Sequence, residues 1–342
     1  MVRLKDIAER AGVSVMTVSK ALRDEPDVSA ATKARIKLMA QEMGYVPDST
    51  AQGLRTRTTK LIGLVIPSTT DPVYARVVLA IEERAHELGY DIVLMHTLNN
   101  VDREEFCIRR LLSRRVDGLL IAPVYRIDPE ARVYQEILVR NTPTILLGAP
   151  AKFCSQFTGI QIDDLLGSYA ATQHLLSLGH TRIAFLTGPL SAPWAQDRFE
   201  GYRRALREAG SDVDEKLVFQ AGSTVEDGVK AALQMLNESC DATAIQAAND
   251  LVAIGCADAL LNQGLRIPQN ISVVGFGNIL TSEYFRVPLT TVRQPKFRLG
   301  VAAVESLVQL IKGQRVESKR LPAELVVRAS SAAPQRQPAH AS

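Results

Sequence analysis

Near its N-terminus the chain reads LKDIAERAGVSVMTVSKAL over residues 4–22, a pattern typical of two short helices joined by a tight turn. Apolar residues recur at helical spacing over residues 4–11, and Ser14 is a typical N-cap for the second helix. Val18 and Leu22 lie one turn apart on that second helix, so they should pack against the first. The pattern predicts a small two-helix core.

A third helix follows without any intervening strand. It should begin near Val28 and Ser29 and end before Gly44, because glycine commonly terminates helices in the left-handed conformation. Residues 1–47 are therefore expected to form an all-α domain of three helices.

The second helix carries an exposed apolar face. Val15, Met16, Ser19 and Lys20 should point away from the two-helix core, which leaves two apolar side chains near the helix N-terminus uncovered. In a DNA-binding helix-turn-helix such side chains contact thymine methyl groups in the major groove, and Lys20 would contact guanine or a phosphate. Packing of the same face against another part of the protein is an equal alternative from spacing alone.

The net charge of the N-terminal region is only weak evidence for nucleic-acid binding. Residues 1–60 contain eleven Lys and Arg against seven Asp and Glu, a balance of +4 in a chain whose net charge is +3. An excess of this size predicts non-specific attraction to phosphates but no sequence-specific recognition.

From Lys60 onward short apolar runs alternate with helical stretches, and the alternation starts again near Arg182. Such a pattern predicts parallel sheets covered by helices, here in two α/β lobes. The tail over residues 329–342 has no periodicity and is expected to be disordered.

Other function classes find little support. The chain has no signal-peptide pattern and no apolar run long enough to span a membrane, so we expect a cytoplasmic protein. Its four cysteines show no metal-ligand spacing, which predicts reduced thiols and no metal site. We also expect no cofactor. No catalytic motif is present, and we expect no enzyme activity. The alternative is a carbohydrate-acting enzyme that uses a pair of carboxylates among Asp163, Asp164 and Asp250.

Residues 4–22 resemble the head-piece of LacI/GalR-type transcriptional regulators almost position for position. The resemblance continues through the chain, at Arg115–Leu120, Leu178–Phe185, Gln196–Tyr202, Ala248–Asp250 and Pro288–Pro295. It implies a repressor that binds a pseudo-palindromic double-stranded operator as a homodimer, bound to the nucleoid when on DNA. It also implies that Thr17 and Ser19 hold phosphates, while Val15, Met16 and Lys20 face bases.

Residues 44–55 resemble the hinge of the same family, which folds into a short helix on operator DNA. By that resemblance Leu54 would wedge into the minor groove and Arg55 would contact a phosphate or the groove. The hinge and linker are expected over residues 48–59. Residues 48–55 are too few for a stable isolated helix, so a partner would have to supply contacts. The alternative is a flexible linker in which Leu54 packs on the domain that follows it in the chain.

The remaining chain resembles the family's sensor, a periplasmic-binding-protein fold over residues 60–328. The resemblance implies crossings between lobes near residues 160, 290 and 320, with the first lobe over about 60–160 and 291–320 and the second over about 161–290 and 321–328. A small sugar or sugar derivative would bind in the cleft. The residues expected to contact it are Asp71, Tyr74, Trp194, Arg198, Asn249, Asp250 and Asn278.

Two of these assignments have structural alternatives. Arg198 matches the family's ligand-binding arginine, yet it could pair with Asp197, Glu200 or Glu208 on a solvated helix face. Asp250 could instead cap the helix that follows it.

The chain departs from the family at one position of the cleft. Many relatives carry an acidic residue where this chain has Gly277 and Asn278, so the usual acceptor for sugar hydroxyls is missing. We therefore expect an effector richer in negative charge, such as a sugar acid or sugar phosphate.

Overall fold

The computed structural model describes residues 2–46 and 58–335. The chain forms two compact units that divide between Thr59 and Lys60. The predicted hinge residues Leu54 and Arg55 lie outside the described residues.

The first unit contains the three predicted helices, α1 (Leu4–Ala11), α2 (Val15–Leu22) and α3 (Ala30–Glu42). Gly12 ends α1 with a φ of 66°, and the Ser14 hydroxyl caps α2 by accepting from Thr17 N at 3.1 Å. The core is fully buried at Ile7, Val18 and Ile36. The fully buried position in the last turn of α2 is Ala21, and Leu22 is half-buried.

The second unit is built from alternating strands and helices. In chain order they are β1 (Leu61–Ile66), α4 (Pro72–Glu87), β2 (Asp91–His96), α5 (Val101–Ser113), β3 (Gly118–Ile121), α6 (Arg132–Val139), β4 (Thr144–Leu147), a 3-10 turn (Lys152–Cys154), β5 (Thr158–Ile162), α7 (Asp164–Ser177), β6 (Ile183–Thr187), α8 (Pro193–Glu208), a 3-10 turn (Glu215–Leu217), β7 (Val218–Gln220), α9 (Val225–Asn237), β8 (Ala244–Ala247), α10 (Asp250–Asn262), β9 (Ser272–Gly277), α11 (Leu280–Tyr284), β10 (Thr290–Arg293), α12 (Lys296–Ile311), β11 (Lys319–Leu321) and β12 (Glu324–Val326).

These elements form the two expected lobes, each with a six-stranded sheet. The first lobe has the strand order β11-β5-β4-β3-β1-β2 and is parallel throughout. The second has the order β12-β10-β9-β8-β6-β7, in which only β12 runs antiparallel to its neighbour among the described strands. The central strands are buried almost completely because helices cover both faces.

The chain crosses between the lobes three times. The last strand residues before the crossings are Ile162, Arg293 and Leu321. Strand β10 lies wholly in the second lobe because residues 290–293 pair in register with β9, whereas we expected residues 291–293 in the first.

The C-terminal segment corrects another expectation. Residues 329–335 form no helix or strand, but Ser330 is only 1% exposed, and its Oγ accepts from Thr290 N at 2.8 Å. Ala332 O lies 2.8 Å from His180 Nε2. Disorder is therefore wrong for this part of the tail, because its polar atoms find partners on the second lobe. Residues 336–342 lie outside the described residues.

Two further features concern function. No helix within residues 2–46 and 58–335 is long and apolar enough to cross a membrane. In the same residues no group of three or more His, Cys, Asp and Glu side chains is arranged to hold a metal ion.

Candidate nucleic-acid interface and ligand cavity

The N-terminal end of α2 presents apolar side chains to solvent. Met16 is 67% exposed and Val15 is 44% exposed, while Val18 on the opposite side is fully buried. Ser19 and Lys20 lie half-buried beside them. Helix α2 therefore packs one face into the core of the first unit, which we call the head-piece. The opposite face, which we expected to contact DNA bases, is not covered by other described residues of this unit.

Two of the polar residues on α2 already have partners in the head-piece. The Lys20 ammonium pairs with Asp27, and this hydrogen bond raises the pKa of Lys20. The hydroxyl groups of Thr17 and Ser14 lie 2.9 Å apart. A base or phosphate that approaches Lys20 would therefore compete with Asp27 for the ammonium.

A cavity of about 470 Å³ lies between the lobes, a size suited to a small ligand. It contains six of the seven residues predicted to contact an effector, and Asn278 is the exception. Its main polar and aromatic lining residues are Asp71, Tyr74, Asn99, Tyr125, Gln161, Asp164, Ser191, Trp194, Arg198, Ser223, Asn249, Asp250, Phe276 and Gln294.

Arg198 is buried in the second-lobe wall of this cavity, with an exposure of 6%. Its Nε and Nη2 donate to Asp164 Oδ1 at 2.8 and 2.6 Å, and its Nη1 donates to the carbonyl of Ala248. The guanidinium also stacks on the rings of Phe276 and Trp194, 3.7 and 4.6 Å from their centroids. The alternative of a surface ion pair on α8 is therefore wrong, and most of the guanidinium is engaged within the second lobe.

The carboxylate of Asp250 is also engaged within the second lobe. Its Oδ2 accepts from Ile279 N at 2.9 Å and Ser282 Oγ at 2.6 Å, and its Oδ1 accepts from Thr291 Oγ1 at 2.5 Å. Gly275 is required beside it, because a Cβ there would lie 2.3 Å from Asp250 Oδ1. Burial raises the pKa of Asp250, and these donors act in the opposite direction.

The neighbouring Asn249 caps α10, a role that the sequence left open for Asp250. Asn249 Oδ1 accepts from Val252 N at 2.8 Å, and its Nδ2 donates to Ser223 O at 3.1 Å. The helix begins at Asp250 itself.

Asn278 turns away from the cavity, which corrects its predicted role. Its φ of 49° places it in the left-handed region, and its Oδ1 accepts from Arg328 at 2.8 Å. The Lys296 ammonium donates to the backbone carbonyls of Gly277 and Asn278. The side chain therefore anchors the C-terminal segment rather than facing a ligand.

The first-lobe wall contains polar groups that are less engaged. Asp71 caps α4 through Val73 N at 2.8 Å, and no side chain within the described residues donates to it. Burial raises the pKa of Asp71 and that of the Tyr74 phenol. The Tyr74 hydroxyl has no hydrogen-bond partner in the described part of the chain. Both groups therefore remain available to a ligand.

Sequence reasoning missed two glutamines in the cavity. Gln294, at the crossing between β10 and α12, is 9% exposed, and its side chain makes no hydrogen bond to any described residue. Gln161 in β5 lines the cavity in the same unpartnered state. A single polar residue in the apolar run TGIQI was the only sequence signal for Gln161.

The charges around the cavity do not favour an anion. Asp71, Asp164 and Asp250 line it, whereas Arg198 is the one cationic side chain among its described lining residues. A formal balance of one positive against three negative groups gives no support to the sugar acid or sugar phosphate that we expected.

Comparisons with known proteins agree with both units. Residues 3–48 match the family described as bacterial regulatory proteins, lacI family, and residues 59–329 match periplasmic binding proteins and the sugar binding domain of the LacI family. The ribose operon repressor of Escherichia coli K12 is 34% identical over 94% of this chain and 96% of that protein. The PurR repressor of Proteus mirabilis is 35% identical over 94% of each chain.

Solved structures give the same assignment. A Lac repressor dimer bound to operator and the anti-inducer ONPF has a TM-score of 0.89 at 33% identity, covering 97% of this chain and 99% of that one. A complex of the regulator CelR with cellobiose has a TM-score of 0.74 at 32% identity, covering 97% of this chain and all of that one (100%). This chain therefore belongs to the LacI family of bacterial regulatory proteins.

Proposed function

We propose that this protein is a transcriptional repressor that binds a pseudo-palindromic operator as a homodimer and responds to a small neutral carbohydrate in the cavity between its lobes. The observation that carries the DNA-binding part is the exposed apolar end of α2. Met16 and Val15 are exposed to solvent, although the apolar residues on the opposite side of α2 are buried in the core of the first unit. Apolar side chains at the start of a recognition helix gain burial against thymine methyl groups.

The DNA-binding part is tested by selecting random duplexes on the full chain at two salt concentrations. We expect a palindromic sequence to be enriched. Met16→Ala should weaken binding by roughly tenfold and relax the preference at one or two positions of each half-site. Leu38→Ala is the matched control, because Leu38 is also exposed, at 58%, but lies on α3.

Other outcomes would contradict this part. Binding that shows no enriched sequence and disappears as salt rises would indicate only phosphate attraction by the basic N-terminal region. An equal effect of Met16→Ala and Leu38→Ala would mean that the exposed face of α2 reads no bases. Leu54→Ala tests the hinge separately, since loss of the minor-groove wedge should weaken binding to the selected palindrome without changing its sequence.

The neutral effector is supported by four polar groups of the cavity that no side chain binds within the described residues. Two amides, a phenol and a carboxylate offer both donors and acceptors, which suits the hydroxyl groups of a sugar. The relatives named for ribose and seen with cellobiose point to the same chemical class. An anion would meet three carboxylates and a guanidinium that is already paired.

Trp194, the single tryptophan of the chain, reports on this cavity. We would titrate the full chain with D-ribose, cellobiose, ribose 5-phosphate and gluconate and follow tryptophan fluorescence. A saturable change with a neutral sugar and none with the two anions is expected. Tighter binding of either anion would overturn the neutral class, and failure of both neutral sugars would count against the carbohydrate assignment.

We further propose that the cavity binds without chemistry. Catalysis by a pair of carboxylates needs a group free to exchange a proton with substrate. Asp164 is held by Arg198, and Asp250 accepts from three donors. Recovery of the bound sugar unchanged after prolonged incubation, measured by mass spectrometry, is the expected result, and turnover would contradict it.

A further inference from the structure

One buried carboxylate of the second unit plays no part in the cavity lining. Among the described residues, the buried Asp, Glu, Lys and Arg side chains are Glu104, Asp164, Arg198 and Asp250. The last three line the cavity, whereas Glu104 lies on α5 in the first lobe with an exposure of 0%. A buried carboxylate is costly unless its partners need it, so its contacts identify its role.

Glu104 holds the segment that follows β3. Its Oε1 accepts from Val124 N at 2.7 Å and from the Tyr134 hydroxyl at 2.9 Å, and its Oε2 pairs with Arg126. The chain leaves the sheet after β3, so the Val124 N–H has no neighbouring strand to bind. Burial raises the pKa of Glu104, and these three donors oppose that effect.

Arg126 completes the arrangement. Its Nε donates to Val124 O at 3.2 Å, so the backbone N–H and C=O of Val124 are both bound by the Glu104–Arg126 pair. The guanidinium lies 4.7 Å from the ring centroid of Phe153. Side chains thus supply the hydrogen bonds that a neighbouring strand would otherwise give.

The segment held in this way is part of the cavity wall. Val124 and Tyr125 both line the cavity, and the Tyr125 hydroxyl donates to Ala149 O at 2.8 Å, another lining residue. Glu104 itself is absent from the lining, so it acts on a ligand only through the backbone of this segment. Its contacts therefore connect helix α5 to the surface that an effector would touch.

We propose that Glu104 is a positioning residue for effector recognition, which fixes the cavity wall at Val124 and Tyr125 through its ion pair with Arg126. The recognition part rests on the proposed function, because it requires an effector in this cavity. The positioning part concerns the chain without ligand and is measurable on its own.

Three variants of the full chain separate positioning from support of the core. Glu104→Gln and Arg126→Met each remove the ion pair and retain side-chain volume. Tyr134→Phe is the control, since it removes a hydrogen bond to the same carboxylate but leaves both contacts of Val124. Amide hydrogen exchange of residues 122–131 and thermal unfolding are measured without ligand, and D-ribose is then titrated with Trp194 fluorescence as the readout.

We expect Glu104→Gln and Arg126→Met to speed exchange of the Val124 amide by about tenfold or more, the change that weakening of a charge-assisted hydrogen bond produces. Tyr134→Phe should lower the melting temperature without that local change. The Kd for D-ribose should rise about tenfold in the first two variants and less than threefold in the control.

Equal exchange rates of the Val124 amide in all three variants and the unmodified chain would overturn the proposal and leave Glu104 as a core residue. Faster exchange with an unchanged Kd would overturn the recognition part. If D-ribose does not bind the unmodified chain, that effector assignment fails, and the exchange rates still decide whether Glu104 positions the wall.

Discussion

The charged and amide side chains on the two walls of the cavity differ in whether they are already hydrogen-bonded to other side chains or carbonyls. In the second lobe the side chains of Arg198, Asp164, Asp250 and Asn249 all bind other groups of the same lobe. On the other side Asp71 accepts only backbone donors. Tyr74, Gln161 and Gln294 have no side-chain hydrogen bond within the described residues.

Physical chemistry accounts for this difference. A buried charge needs a partner at all times, because an unpaired ion in the interior costs several kcal/mol. A neutral amide or phenol at the edge of a cavity can exchange water for ligand at much smaller cost. The charged residues therefore build the second-lobe wall, and the mostly neutral groups opposite are better suited to discriminate between ligands.

The largest effect that tests this contrast is expected from Arg198→Ala. The variant leaves Asp164 buried without a counter-charge, and removing one partner of such a pair typically costs about 3–5 kcal/mol in the free energy of unfolding. Chemical denaturation measures this loss. Because the pKa of Asp164 is already raised by burial, the loss should shrink as the pH falls and the carboxyl becomes protonated.

Arg203→Ala is the matched control on the same helix. Arg203 forms an exposed pair with Glu200, with side-chain exposures of 45% and 41%, and its removal should cost far less. If both variants unfolded at the same denaturant concentration, the view of Arg198 as a structural element of the wall would be wrong.

Gln294→Leu is expected to lower effector affinity while leaving stability almost unchanged. The side chain has no hydrogen bond to lose within the described residues, so the free energy of unfolding should change by less than about 1 kcal/mol. Effector affinity should fall roughly tenfold, as expected for the loss of one or two hydrogen bonds to a ligand. Calorimetric titration with the sugar found for the unmodified chain measures the affinity. Gln161→Leu should behave likewise, and unchanged affinity in both variants would remove the contrast between the walls.

A pH dependence of effector binding is predicted for Asp71. Its folded-state pKa is raised by burial, so the carboxylate takes up a proton at a higher pH than the ordinary value of 3.8. If the ionised form accepts a sugar hydroxyl, affinity is full above the raised pKa and falls as the pH drops through it. Asp71→Asn should abolish this dependence, and an identical pH profile in the variant would assign the titration to another group.

The lobes and the head-piece could be predicted because their signals are local. Apolar spacing over residues 4–22 gave two of the helices, and strand-like runs separated by helical stretches gave the sheets. Strand β10 was placed in the wrong lobe at its end, because sheet membership depends on pairing with β9 rather than on spacing along the chain.

The cavity was harder to predict because its contacts are long-range. Arg198 and Asp164 are 34 residues apart, and the acidic residues Asp197, Glu200 and Glu208 near the arginine in sequence suggested a surface pair instead. Asn278 meets Arg328 over 50 residues of sequence, in a segment close to the tail that composition marked as disordered. Gln294 lies in the family-like stretch Pro288–Pro295, but nothing in the sequence shows that its side chain has no hydrogen-bond partner within the described residues.

The smallest effect is expected from Asn278→Asp, which introduces a carboxylate into the Gly277–Asn278 stretch, where the usual acceptor for sugar hydroxyls is missing. In this chain the side chain at 278 faces Arg328, so the new carboxylate should pair with that guanidinium and remain outside the cavity. Aspartate tolerates the left-handed backbone about as well as asparagine, so the free energy of unfolding should change by no more than about 0.5 kcal/mol. Effector affinity should stay within about threefold of the unmodified chain, since no new acceptor reaches the ligand. A tenfold gain in sugar affinity would mean that the residue at 278 reaches into the cavity when ligand binds, and the second-lobe wall would then contribute a free acceptor after all.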